Sequence, residues 1–180
     1  MNTYQKQFDI RKETPAYWHN KSVDLLVSAR TLWKAIDENK NLEINCLPVY
    51  KMLLGMSFEL LFKAHCVGAG IGFAATHNLE SLVTTANLTT SKDEKGIFRV
   101  LSEYIIWDGR YPVPKEFQYL ERHWENQNNI LNNNENIEDL TVLTSNDKLD
   151  FENIHPIWRK YSDLFMEKHQ ENITNLSQHR

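Results

Sequence analysis

From Pro48 to Val67 the chain reads PVYKMLLGMSFELLFKAHCV, and a helix drawn through it is oily on nearly every side. At about 100° per residue, only a narrow strip holding Gly55, Glu59 and Lys63 is small or polar. A helix apolar on most of its circumference is a central one, or one that also faces a partner subunit. The rest of the chain therefore has to supply surfaces that cover it. Glu59 and Lys63 stand one turn apart in the favourable order, a pairing that contributes only about 0.2–0.5 kcal/mol when exposed. Two readings stay open for them: a solvated edge of a core helix, or the charged part of a site.

The covering segments read as helices as well. Residues 15–39 set Trp18, Leu25, Ala29, Leu32 and Ile36 on one stripe, which Leu26 and Trp33 widen, with Pro15 in a first-turn position. After Val67, Gly68, Gly70 and Gly72 allow the chain to leave its helix through positive φ. Asn78 reads as the N-cap of a short helix, LESLVTTANL, and Ser91 as the cap of KDEKGIFRVLSEYIIW. In the latter Ile97, Val100, Leu101, Tyr104 and Ile105 share a face, Gly109 is a stop, and Pro112 and Pro114 force extended chain. Residues 115–125 fit a further short helix. A last helix from near Pro156 carries Ile157, Trp158, Tyr161, Leu164, Phe165 and Leu176 as its buried stripe.

Between these helices, Asn126 to Asn136 holds seven Asn in eleven positions. Asn competes with its own backbone for hydrogen bonds, so a loop or disordered insert is expected over about 126–148. No alternating β run is evident. The expectation is an all-α fold, an antiparallel up-down bundle of about five helices in a single domain over residues 1–180.

Bulk properties narrow the setting. At 180 residues the chain is long enough to bury a real core without staples. A formal charge of -4 gives no global basic footprint of the kind most nucleic-acid binders carry. Cys46 and Cys66 lie in apolar surroundings and read as reduced, buried thiols. The N-terminal MNTYQKQFDIRKE has no apolar signal-peptide core, and the run CVGAGIGFAA, ten residues broken by glycine, is too short to span a bilayer. A cytoplasmic protein with no membrane contact is expected. His65 and Cys66 are adjacent and His77 is eleven residues on, which is no zinc spacing. GAGIG follows a helix rather than a strand, so no phosphate-binding glycine loop is expected either. Neither metal nor cofactor is implied.

Several motifs taken in order carry a resemblance. ELLFKA within an apolar helix, then a glycine turn, then HNLESL, with LLVSARTLW before them and WDGRYPVP after, is similar to the HEPN domain family over about residues 20–115. The resemblance implies a four- or five-helix bundle that dimerises. It also implies a place in RNA- or nucleotide-linked defence or stress response, with a nucleotidyltransferase or antitoxin as cognate partner. Many such domains are metal-independent RNases, in toxin–antitoxin, abortive-infection or CRISPR systems. They use an Arg followed after four to six residues by a His, completed by a second copy across the dimer. Arg steadies phosphate charge and His moves a proton during 2′-OH attack.

No Arg and His of this chain stand at that spacing: Arg11 and His19 are separated by seven residues, Arg159 and His169 by nine, and Arg122 directly precedes His123. Arg110 sits where the family's active-site Arg would, but Tyr111-Pro-Val-Pro follows in place of the His. The resemblance therefore points to a binding or regulatory module. An RNase with a rearranged site, using Arg110, His77 or His123, is the rival, and a pure protein-interaction module is the third reading.

Each candidate residue has two readings. Arg110 either pairs within its loop, with Asp108, Trp107 or Tyr111, or reaches Glu59 and Lys63 to close a polar binding pocket. His77 either bonds backbone at a helix start or catalyses. His123 either resides on the surface or contacts a base beside the Asn-rich segment.

Overall fold

The fold is seen in a computed structural model that describes residues 2–137 and 140–178, with the side chains of 134–143 and 170–178 outside the description. Helices take up most of it: α1 (Thr3–Glu13), α2 (Pro15–Glu38), α3 (Glu43–Gly68), α4 (Leu79–Thr85), α5 (Lys92–Glu103), α6 (Phe117–Leu131) and α7 (Phe151–Gln178). A short hairpin, β1 (Asn132–Ile137) and β2 (Leu140–Ser145), lies between α6 and α7. The chain is all-α in class.

The oily segment forms α3, and α2, α4, α5 and α7 pack on it. Tyr50, Leu54, Phe58, Leu61, Phe62, Ala64 and Cys66 are wholly buried there. Residue pairs give the directions. Pro15 lies over Gly68, Ser22 bonds Ser57, and Trp33 packs on Tyr50, so α2 and α3 are antiparallel. Phe98 packs tilted or edge-on against Phe58 and Phe62, while Ile105 lies over Gly55 and Gly109 over Met52, so α5 is antiparallel to α3. Arg122 meets Glu103 and Ile130 meets Gly96, which sets α6 back along α5. Finally α7 runs against α2, through His19–Ser162 and Trp33–Glu152, and alongside α3, through Tyr50–Leu149 and His65–Tyr161.

By length and composition Lys40–Gly68 could cross a membrane, a possibility that a count of unbroken apolar runs does not reveal. In this fold its apolar middle is core instead. A polar staple fixes α3 to α2: each of Ser22 and Ser57 donates its hydroxyl to the other's backbone carbonyl, at 2.7 and 2.8 Å, and Trp158 Nε1 reaches Ser22 Oγ at 3.2 Å.

The expected caps are present. Asn78 accepts from Ser81 N, and Ser91 and Glu94 form a reciprocal capping box. Two boundaries differ at a proline. Both α3 and α7 begin five residues before the proline expected to open them, so Pro48 and Pro156 stand inside their helices and each removes one intrahelical bond. Leu149, Phe151 and Ile154 are buried, which ties the added turn of α7 to the core. Within the stripe expected on α7, Trp158, Tyr161 and Phe165 are buried, Ile157 and Leu164 half-buried, and Leu176 lies outside the described side chains. The helix α1, with no buried residue, has no apolar stripe that could have announced it.

The Asn-rich segment is neither loop nor disordered where it is described. Asn126 to Leu131 finish α6, and Asn132–Ile137 pairs antiparallel with Leu140–Ser145. Composition of one strand misled here because ladder bonds are shared. The β-favouring LTVLTS of β2 supplies a partner, and Asn146 N–H donates to Leu131 O at 2.7 Å to tie the hairpin's base to the helix end.

Two tests follow from this packing. A Cβ at Gly55 would come within 2.7 Å of Ile105 Cγ1 and 3.0 Å of Leu101 O. Overpacking at about 1–3 kcal/mol outweighs the gain of about 1 kcal/mol in helix propensity. Gly55→Ala is therefore expected to lower stability in urea denaturation, where an unsubstituted helix position would gain.

The second concerns pH. Burial pushes His19 and His65 below the usual histidine value; His65 donates Nε2–H to Tyr161 O at 2.8 Å and His19 stacks on Phe165. Below about pH 6.5 the unfolded chain binds protons that these neutral rings refuse, so their stabilisation is present above that pH and lost as pH falls. Glu94 adds to the loss at lower pH. Burial acts to raise its carboxyl, but bonds from Lys160, the Ser91 backbone and Tyr161 outweigh this and hold it below the ordinary value. The melting temperature is expected to fall steadily from pH 7 to 5, and His65→Gln to flatten the upper part of that slope.

Candidate functional site

The strip on α3 carries the first polar centre. Glu59 is buried, and Lys63 Nζ donates to its Oε1 at 2.6 Å while His77 Nδ1 donates to its Oε2 at 2.8 Å. Lys63 also lies 5.7 Å from the ring centroid of Phe73. The i,i+4 spacing on α3 brings Lys63 to Glu59, and the glycine turn after Gly68 brings His77 back over the same helix. His77 therefore bonds a side-chain carboxylate rather than backbone or the turn. Its ring is half-exposed while the carboxylate is 8 % exposed. A buried carboxylate with two cationic or donor partners is a satisfied structural node, and it also fixes the imidazole's orientation.

Arg110 is not part of this centre. Gly109 presses on Met52, seven residues before Glu59 on α3, which is roughly 10 Å along the axis. Arg110 points away, donating Nη2–H to Ile106 O at 2.8 Å and lying 5.5 Å from the Tyr111 ring. Within the single chain Arg110 does not join Glu59 and Lys63 in a polar pocket. The loop reading, with Arg110 stacked on Tyr111, is the one realised.

A second polar centre was not foreseen. Past Glu103 the helix α5 widens into a π-turn over Tyr104–Asp108, with Gly109 N–H reaching back five residues to Tyr104 O at 3.0 Å. That turn sets Tyr104, Trp107 and Asp108 around His123 of α6. Contrary to a surface position, His123 is buried, edge-on to Tyr104 and Trp107, with Nε2 3.2 Å from Asp108 Oδ2 and against the Gln127 side chain. The residue is on the inner face of α6, and only the docking of α6 on α5 puts it there. Its Nδ1, and Nδ2 of Asn126 one turn on, have no hydrogen-bond partner among the described residues.

Beside it the buried Glu103 takes Arg122 through both Nε and Nη2, at 3.0 and 2.8 Å, and Trp107 Nε1 at 3.3 Å. On α4, Glu80 holds Arg99 in a two-bond fork. These pairs join residues 19 apart, so no local motif in the sequence signals them.

Several large apolar side chains here are exposed. Tyr111, Val113, Phe117 and Trp124 are 57–74 % exposed, and Ile106, Tyr119 and Leu120 are exposed as well. Trp107, Tyr111, Pro114 and Tyr119 line a concavity of about 480 Å3. Among the described residues no group of three His, Cys, Asp or Glu could hold a metal ion. No family model, no curated protein and no solved structure matches the chain.

The Glu59 centre can be checked directly. Glu59→Ala leaves the largely buried Lys63 ammonium uncompensated and is expected to lower stability by about 3 kcal/mol. His77→Ala, at the half-exposed end of the same centre, is expected to lower it by about 1 kcal/mol or less. Urea denaturation of both variants measures the difference, and equal losses would contradict the geometry.

Proposed function

We propose that this chain is a HEPN-like helical module that binds and regulates rather than cleaves, acting in RNA- or nucleotide-linked defence or stress response. In this reading it works in the cytoplasm as a homodimer, with a nucleotidyltransferase or antitoxin as its cognate partner. One observation carries the reading: side chains that metal-independent RNA cleavage needs are already bonded to partners within the chain. His123 is buried against Asp108, Arg122 is forked onto Glu103, Arg99 onto Glu80, and Arg110 onto its own helix carbonyl. A proton-transferring His has to reach the substrate, and a phosphate-steadying Arg needs its fork free. His77 keeps an exposed ring, but among the described residues no arginine bonds or pairs with its centre.

What is open to a partner is instead the set of exposed aromatic and apolar side chains between Ile106 and Trp124. Exposed aromatic residues with Arg at the margin are the composition of an interface core, and here Arg110 and Arg122 lie against Tyr111 and Tyr119.

Light scattering on the purified chain is expected to give a dimer, and Phe117→Glu with Trp124→Glu a monomer of unchanged helicity. Incubation with RNA in EDTA is expected to leave the RNA intact. Cleavage that survives EDTA and is lost in Arg110→Ala would overturn the non-cleaving reading in favour of the RNase. A monomeric native chain would overturn the dimer.

A further inference from the structure

A cavity of about 310 Å3 lies where the end of α2, the first turns of α3 and the residues after β2 meet. Lys51, half-buried on α3, is part of its lining. Its ammonium has three N–H donors and uses one, on Tyr104 Oη at 3.2 Å. No carboxylate lies within ion-pair distance of it among the described residues, since Asp108 is engaged with Tyr104 and His123. Burial pushes Lys51 below the ordinary lysine value, opposed by the fields of Asp108, Glu43 and Asp150.

The rest of the charged lining has the opposite character. Glu43 and Asp147, both exposed, and half-buried Asp150 contribute carboxylates, and the one other cation in the lining, Lys40, is bonded to Asp37 at 2.9 Å. Burial, together with Asp147 and Glu152, raises the Asp150 carboxyl above its ordinary value. Ile36 and Leu47 add apolar wall to the same lining. A simple anion entering would meet three carboxylates, and a simple amine would meet the Lys51 ammonium. Only a molecule that carries both charges satisfies both kinds of group.

We propose that this cavity binds a small zwitterion, its carboxylate on Lys51 and its amino group among Glu43, Asp147 and Asp150. The volume is at the small end for ligand sites, which suits a molecule of amino-acid size rather than a nucleotide. The site is distinct from the exposed aromatic side chains of α6, so either assignment can fail without the other.

The test is calorimetric titration of the full chain with 6-aminohexanoate, beside hexanoate and hexylamine as its two halves. Saturable binding of 6-aminohexanoate is expected, with each half weaker by roughly tenfold or more. Lys51→Met is expected to abolish binding and Asp150→Asn to weaken it several-fold. Leu47→Trp, which fills the cavity and leaves every charge in place, is expected to abolish it while the far-ultraviolet dichroism stays native. That variant decides the matter if Lys51→Met does not fold. Absence of saturable 6-aminohexanoate binding, hexanoate binding as tightly, or retention of binding in Leu47→Trp would each overturn the proposal.

Discussion

A helix with no wet side has to be surrounded, and that requirement on α3 organises the molecule. α2, α5 with the π-turn, α4 and α7 cover most of its apolar circumference, leaving Val49 exposed and Met52, Leu53, Met56 and Leu60 half-buried along one side. Burying a large aliphatic or aromatic side chain contributes about 1.5–3 kcal/mol, and Tyr50, Leu54, Phe58, Leu61 and Phe62 are all fully buried on this one helix. No other element has such a demand. The covering helices are amphipathic in the ordinary way, α5 most clearly, and could each fold against a single neighbour.

The same enclosure dictates the fate of polar groups on α3. A buried charge or hydroxyl must find its partner within the protein. Ser57 does so reciprocally with Ser22, His65 with the Tyr161 carbonyl, and Glu59 with Lys63 and His77. These bonds tie α3 to α2, to α7 and to the turn before α4 respectively, so the polar exceptions on an oily helix act as its register marks. Lys51 is the one that finds least: a single phenolic oxygen and a cavity. Elsewhere Glu80, Glu103 and Asp108 are likewise paired with Arg99, Arg122 and His123, while large aromatic side chains such as Phe117 and Trp124 stay exposed.

Much of the helical framework was legible in the residues. The 3.6-residue stripes of α2 and α5, the Asn78 and Ser91 caps and the centrality of α3 depend on near neighbours in the chain. Periodicity and capping report such neighbours directly. The candidate site was legible only in part. Glu59 with Lys63 is an i,i+4 pair, visible in the sequence, and His77 follows a short turn. By contrast Glu103 with Arg122, Asp108 with His123, and Glu80 with Arg99 depend on how two helices are set side by side. The hairpin escaped for the same reason, because the strand-forming tendency lies in β2 while the conspicuous composition lies in β1.

The sequence by itself determined that this protein is helical, that its second long helix is its centre, and that Glu59 and Lys63 meet. All of these are consequences of side-chain order along one helix. Only the tertiary structure decided which way Arg110 points, that His123 is buried, and that Lys51 shares a cavity lining with three carboxylates. Those outcomes depend on the angle and register at which α6, the π-turn and the residues after β2 close on α3. Packing of whole surfaces sets that geometry, and no local run of residues encodes it.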